Sequence, residues 1–490
     1  MPAHVSRQRR WRVAALVVLV VAGVGIAVGV RGAPAPVAAA PAPSALVGAP
    51  DAESSAWYCT GQSTAGGASP GFLVLTNTTA RPVTAAITAT SDSGATADTT
   101  AAVPAHGVVT PAVPALASGS WVSETVITSG GGVAVTQTVR GSLGWSQAPC
   151  QTTTSAQWYF AGGSTAAANT LSISLLNPTS TPVVVDLSFV TPGGMVHPIN
   201  YQGIVIQPGQ MAAENVASEV QQINTVSTIV SARTGRVVAS EVQGMVGAGA
   251  TSGGLALVPG IATPQADWAL PQAQEVAGGN SEVDVFNPGQ STEAVTVRFR
   301  LPSGPLAPLT DKVLPGTTWV LPTSSETRLP ASETYATTID ASGGPGVVVS
   351  RTVNIPGSSV SPQDGMAVAV DGLSTRSPSG EWVVPPPGTA DNPAVSGAAP
   401  AYLALLNTSA GPESYRAFAS TVSGVRVLAT GTLAAGSVEI VSGSPLAAAG
   451  LDPILVHSSG PMAVSEDLGP SAGVGVVSMP GIPLAAAIGA

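Results

Sequence analysis

Four histidines, His4, His106, His197 and His457, are the obvious candidates for metal or acid–base chemistry, and none has a second ligand at helix or hairpin spacing. Gly67-Ala68-Ser69-Pro70-Gly71 has the form of a GxSxG nucleophile elbow. That elbow needs a strand before the serine and a helix directly after it, whereas here a Gly-rich loop leads into the strand-like run FLVLT. Lys312 is the one lysine of the chain, and no Ser-x-x-Lys pattern surrounds it. Paired carboxylates are the remaining catalytic option. Glu282 and Asp284 alternate with Val283 and Val285, which assigns both acids to the solvent face of a strand, where carboxyls titrate normally; Glu466 and Asp467 form a second pair. Trp121, Trp145 and Trp319 are too few and scattered to suggest a flat sugar-binding platform. The expectation is a non-enzyme, with no catalytic residue, metal ligand or cofactor.

What these residues sit on is a repeated framework. Asn77 closes FLVLTN, Asn177 closes LSISLLN, Asn287 closes VDVFN and Asn407 closes YLALLN, at spacings of 100, 110 and 120 residues. Trp57, Trp158, Trp268 and Trp382 precede them by 20, 19, 19 and 25 residues. Gly107, Gly209, Gly316 and Gly436 follow, and each unit then has a late apolar run ending at Thr136, Ser240, Ser350 or Ser465. Four landmarks in register define four diverged copies of one unit.

Each copy reads as strands. Val183, Val185, Leu187 and Phe189 share one face with Asp186 and Ser188 on the other, a period of two that puts one face in a core and one in water. Asparagine tolerates tight turn geometry and proline fixes φ, so Asn177-Pro178 ends one strand and reverses the chain. Asn77-Thr78-Thr79 and Asn407-Thr408-Ser409 spell glycosylation acceptors, but both asparagines are this same turn residue. About 100 residues with six to eight strands is the size of an immunoglobulin-like sandwich. The expected fold is therefore all-β, four tandem immunoglobulin-like sandwiches forming a rod of about 150 Å. A β-propeller with two blades per copy is the alternative.

Composition agrees with an extended-chain protein: of 490 residues 9% are charged and 4% aromatic, with 56 Gly and 43 Pro. From Gly32 onward 12 basic residues face 27 acidic ones, a balance that repels phosphate backbones and argues against nucleic acid as a partner.

The N-terminal region has a different character. Residues 1–12 form a basic tail with Arg7, Arg9, Arg10 and Arg12, and 13–30 is an unbroken apolar run long enough to span a bilayer. By the positive-inside rule the tail is cytoplasmic, the run a transmembrane signal anchor and the remainder extracytoplasmic; cleavage near Ala38 to Ala40, releasing a secreted protein, is the alternative. Pro/Ala-rich residues 31–56 read as a semi-rigid stalk. The repeats are then 57–150, 151–260, 261–372 and 373–481, with a tail at 482–490. Outside the membrane thiols oxidise, and Cys59 and Cys150 fall on the expected first and last strands of the first repeat, so a disulfide is expected there.

Trp158-Tyr159-Phe160-Ala161-Gly162-Gly163, with SLLNPTSTPVVVDLSF and VVASE after it, resembles a repeat of exported surface proteins in actinobacteria and other bacteria, a family of unknown function. That repeat begins W-Y-F-A-E-G and ends near V-V-A-E-R. Gly162 stands where its glutamate does, and the Glu-Arg pair is reduced to Glu241 in one copy and Arg351 in another. The resemblance implies tandem β domains at a cell surface and lends no catalytic residue. Together these observations lead to the expectation of a membrane-anchored, non-enzymatic envelope protein, a spacer or a binder of envelope proteins or cell-wall polymer. The alternatives are an envelope polysaccharide- or peptide-processing enzyme and an accessory subunit of a membrane enzyme.

Overall fold

The alternating runs on either side of Asn177 form the strands Thr170–Leu176 and Val183–Thr191 in the computed structural model, yet the two do not pair with each other. The Asn turn instead carries the chain out of one sheet and into the sheet facing it. The structure describes residues 45–485 except 65–66, 68, 113–115, 117, 247–252, 275–279, 331–333, 356–364, 370–372, 375–378, 390–398 and 470–476.

Repeat 1 shows the plan. Ser55–Ser63, Trp121–Thr128, Val83–Ser91 and Thr96–Val103 form one antiparallel sheet in that spatial order, blade 1A. Gly144–Pro149, Val133–Gly141, Gly71–Asn77 and Val108–Val109 form the other, blade 1B. Apart from the hairpins Val83–Ser91/Thr96–Val103 and Val133–Gly141/Gly144–Pro149, consecutive strands cross between sheets, and the apolar face of each sheet meets its mate. In repeat 2 the space between blades is filled by Trp158, Phe160, Leu171, Ile173, Leu187 and Phe189, all fully buried. Each buried side chain of this size stabilises by roughly 1.5–3 kcal/mol relative to exposure.

Among the described residues there are seven sheets, one of them eight-stranded. That long sheet is two blades, 2B and 3B, joined by the parallel bridge Gly254↔Met366, so the count of blades is eight. Blade 1A lies on 2B, 2A on 3B, 3A on 4B and 4A on 1B, closing a ring. The innermost strands of the B blades, Gly144–Pro149, Gly253–Pro259, Gly365–Ala369 and Val477–Pro480, pack on one another in turn around one centre. Both ends of the described chain take part in the closure. Ile482–Pro483 pairs with Glu381–Val384 of blade 4A, and Val47 bridges Leu484.

The architecture is an eight-bladed β-propeller, which corrects the expectation of tandem sandwiches and of a rod. The physical reason lies in the second face of each sheet. Val133–Gly141 and Val238–Val246 are buried along nearly their whole length, on both faces. Thr136, Ser174, Ser240, Ser350 and Ser465 look like the polar half of a half-solvated strand, but all five are buried. Ser174 and Ser350 hydrogen-bond to the neighbouring blade, at Thr60 and at the Ala161 carbonyl, and in a one-dimensional pattern such residues cannot be told from a face meant for water.

The membrane reading is also corrected. Among the described residues no helix is long and apolar enough to cross a membrane, and the apolar run 13–30, like the tail 1–12 and most of the stalk, lies outside the described residues. Single-pass attachment through an N-terminal helix, the cytoplasmic-membrane partner and the anchored spacer role built on them have no support among the described residues.

Candidate functional site

The described histidines, His106, His197 and His457, form no cluster, and His4 lies outside the described residues. His197 Nδ1 shares a hydrogen bond with Ser188, and His457 lies edge-on to Phe418 with ring centroids 5.0 Å apart. Among the described residues no group of three His, Cys, Asp or Glu could hold a metal ion. Ser69 is no nucleophile elbow: its hydroxyl donates to the Gly61 carbonyl at 3.4 Å, and the chain continues into the strand Gly71–Asn77. Cys59 and Cys150 are bonded, S–S 2.02 Å, joining the first strand of repeat 1 to the residue after its last.

The carboxylates depart most from expectation. Asp284 is not on a solvent face but wholly enclosed, and neither of its oxygens has a hydrogen-bond partner. Burial, and secondarily the charge of Glu282 two residues away, hold its carboxyl well above the usual range. Glu124 and Glu241, also enclosed, are pushed up by burial to about 8. Glu466 stands well above the ordinary carboxylate range, through burial and then the neighbouring Asp467. Asp467 is raised to about 6, burial outweighing the attraction of Arg351 and a hydrogen bond from Ser478.

Two of these carboxyls, Glu241 and Glu466, occupy one repeated position, the residue after the Thr136/Ser240/Ser350/Ser465 landmark, which holds Gln137 in repeat 1 and Arg351 in repeat 3. Each pairs across the ladder with a core aliphatic, Leu73, Ile173, Val283 and Leu403 respectively, so all four face the space between their own two blades. In repeat 1 the polar group is satisfied, since Gln62 Nε2 donates to Glu124 at 3.1 Å and to Gln137 at 3.3 Å, while Gln137 Nε2 donates to the Thr60 carbonyl. In repeat 3 Arg351 reaches across to donate to the Gln272 carbonyl. Glu466 and Asp467 are consecutive on one strand, so their carboxyls leave opposite faces and cannot flank a common substrate atom. Raised carboxyls are a signature of catalytic sites, but Asp284, Glu124, Glu241, Glu466 and Asp467 are closed off by blades. Of the pair that shares a strand face, Glu282 and Asp284, the latter is covered by Gly162 of the neighbouring repeat, which is the geometry of core polar groups.

The framework residues repeat with little change. Every landmark Asn is buried; Asn177 Nδ2 donates to the Thr181 and Ile206 carbonyls and its Oδ1 accepts from the amide and hydroxyl of Thr179. Asn77, Asn287 and Asn407 do the same work at their own turns, which leaves the amides of Asn77 and Asn407 fully engaged. Trp57, Trp158, Trp268 and Trp382 are the largest fully buried side chains, and the indoles of Trp158 and Trp268 donate to the Val237 and Val347 carbonyls. Gly209, Gly316 and Gly436 take left-handed backbone at φ 70, 64 and 67 after the turn. In repeat 1 that conformation falls on His106, φ 50, one residue before Gly107.

Outer edges of the blades offer the accessible surface. Most are blunted, in the way sheet edges avoid unwanted pairing. Val108–Val109 has two residues, the edge of 2A is split between Gly194–Val196 and Ile204–Ile206, and Thr96–Val103 carries Asp98 among threonines. Blade 4A differs. Its outer strand, Gly424–Leu433, has ten residues and is the longest edge among the described strands. Val425 and Val427 on it are 58% and 50% exposed, and Val422 in the preceding turn is 81% exposed. Val427 pairs with Phe418, over whose ring Arg416 lies at 5.4 Å.

Residues 128–322 match a family of unknown function, DUF5719. The matched span starts on the last residue of Trp121–Thr128 and ends on the last residue of Thr317–Pro322, so it runs from within the first repeat to within the third. It covers less than half of the chain and assigns no activity. No curated protein matches the sequence.

Sequence reasoning missed two of these features. The position three before each landmark Asn holds Val74, Ser174, Asp284 and Ala404, and an acid among small or apolar residues there was a readable sign of an unusual contact. The exposed edge had a sign too, since VSGVRV places three valines around a Ser-Gly turn with no acidic gatekeeper.

Proposed function

We propose that this protein is a non-catalytic accessory propeller that recruits a partner polypeptide by strand addition along Gly424–Leu433. The observation that carries the reading is the contrast of edges: a ten-residue outer strand with exposed Val425 and Val427 on a ring whose other edges are short, split or polar. An incoming extended segment would gain main-chain hydrogen bonds from the strand edge and seat alternate aliphatic side chains beside Val425, Val427 and Phe418. Arg416 at the margin favours an acidic residue in the incoming segment. The buried carboxyls support the non-catalytic part, because none shares an open face with another.

A photo-crosslinking residue placed at Val425 of the full chain, activated in extract from cells that produce it, tests this. A single polypeptide crosslinked through an extended segment is expected, and Val427→Lys should abolish the adduct without changing the Tm. An adduct that survives Val427→Lys, absence of any adduct, or a second copy of this chain as the crosslinked species would overturn the proposal.

A further inference from the structure

The seam between repeats 2 and 3 contains a carboxyl in a notch made for it. Gly162 sits in a bulge of the strand Gln157–Gly163, at φ 79, where the ladder with Val226–Thr234 skips a register step. A Cβ at that position would collide with Asp284 Oδ2 from blade 3B. The absence of a side chain on one blade is therefore the space that receives the acid of the next. The hydroxyls around the notch are already committed: Ser350 donates to the Ala161 carbonyl at 2.6 Å, and Ser227 and Thr318 bond each other at 2.7 Å. Apolar contacts of Ala161, Val190, Phe286 and Val348 complete this seam.

No cation faces Asp284 among the described residues. On its own strand the nearest titratable group is Glu282, another acid. Across the ladder stand Ser350 on one side and Val320 on the other, and Arg351 points to the opposite face, toward the Gln272 carbonyl. From repeat 2 the notch is lined by Gly162, the Ala161 carbonyl and the Ser227 hydroxyl, and Tyr159 is the titratable side chain that packs on the same seam. A neutral carboxyl can be tolerated there, but a carboxylate has neither donor nor countercharge, and its desolvation must be relieved by water.

We propose that the Gly162–Asp284 contact is a protonation latch: the seam between repeats 2 and 3 stays shut while the carboxyl is neutral and parts when it ionises. Parting need not unfold either repeat, because each keeps its own apolar filling between its two blades. The device sits on a joint of the ring and makes the contact between its second and third quarters depend on alkalinity.

Amide exchange of the full chain at pH 6 and pH 9, corrected for intrinsic rates, reads the latch. Segments 157–163 and 280–287 should exchange at least about tenfold faster at the higher pH, the population change that one pH unit of linked deprotonation produces. Asp284→Asn, which keeps the shape and cannot ionise, should match the unmodified protein at pH 6 and lose the rise in those two segments. Gly162→Ala should open the same segments at both pH values. A rise that persists in Asp284→Asn, or no rise in the unmodified protein, would overturn the latch.

Discussion

A Cβ on Gly61 would lie 2.5 Å from Cδ1 of Leu257, a residue of the next repeat. Gly61 and Gly162 hold the same place in their repeats, four residues after the tryptophan, and both have positive φ. Blade 1A thus touches blade 2B through glycine backbone, as 2A touches 3B. Gly61→Ala combines a strained φ of 108 with that overlap, and should cost about 2–3 kcal/mol. Gly194→Ala has a similar φ of 109 but nothing within 4 Å, and should show only the backbone part of the loss. Urea unfolding of both variants checks this, and equal losses would mean the seam contact adds nothing.

His106 offers a gain in the opposite direction. It carries left-handed backbone where the other three repeats use glycine. His106→Gly should stabilise by on the order of 1 kcal/mol, the steric cost a side chain carries in that conformation. A higher Tm on thermal unfolding is expected; a lower one would show that the imidazole makes a compensating contact.

The Cys59–Cys150 bridge closes a loop of 91 residues. On the chain-entropy account it stabilises by about 4–5 kcal/mol. Replacing both cysteines by alanine should lower the urea midpoint substantially, and reductant should reproduce the effect in the unmodified protein only. Mass spectrometry should show a gain of two hydrogens on reduction after unfolding.

Stability should fall as pH rises. Glu124 and Glu241 are held at about 8 in the folded chain by burial, against about 4.3 in an unfolded one. Between those values the folded state binds protons that the unfolded state has released. Folding is therefore most favourable at and below the unfolded value and weakens through pH 8, by up to about 1.4 kcal/mol per pH unit for each group. Urea unfolding at pH 5, 6.5 and 8 should show the decline, and Glu124→Gln with Glu241→Gln should reduce its slope, the remainder coming from Asp284, Glu466 and Asp467.

Much of this was legible in one dimension. The Trp, Asn and Gly landmarks sit at equivalent points of every repeat, because each answers to local geometry: an indole filling the space between two blades, an amide tying a turn, a residue with positive φ. The strand runs around Asn177 could be read from their alternation. What could not be read is where each strand finds its partners. Thr170–Leu176 pairs with Met211–Asn215 and Val238–Val246 rather than with the strand that follows it. The buried Ser174, Ser240 and Ser350 carry a polarity that water and a neighbouring blade would satisfy equally well. Asp284 was misassigned for the same reason, since alternation says which residues share a face and not what covers that face. Glu466 and Asp467 likewise lie adjacent in the chain and on opposite faces of their strand.

Closure of the ring makes the number of copies a structural quantity. Every repeat has two flanks, and each flank finds its complement only on another repeat, with Val47 and Leu484 fastening the first to the fourth. Removing one copy would leave two flanks facing water and a gap of a quarter turn, while adding one would leave the final joint unmade. Gain or loss of a whole unit, which a string of independent beads would accept, is here an all-or-none change.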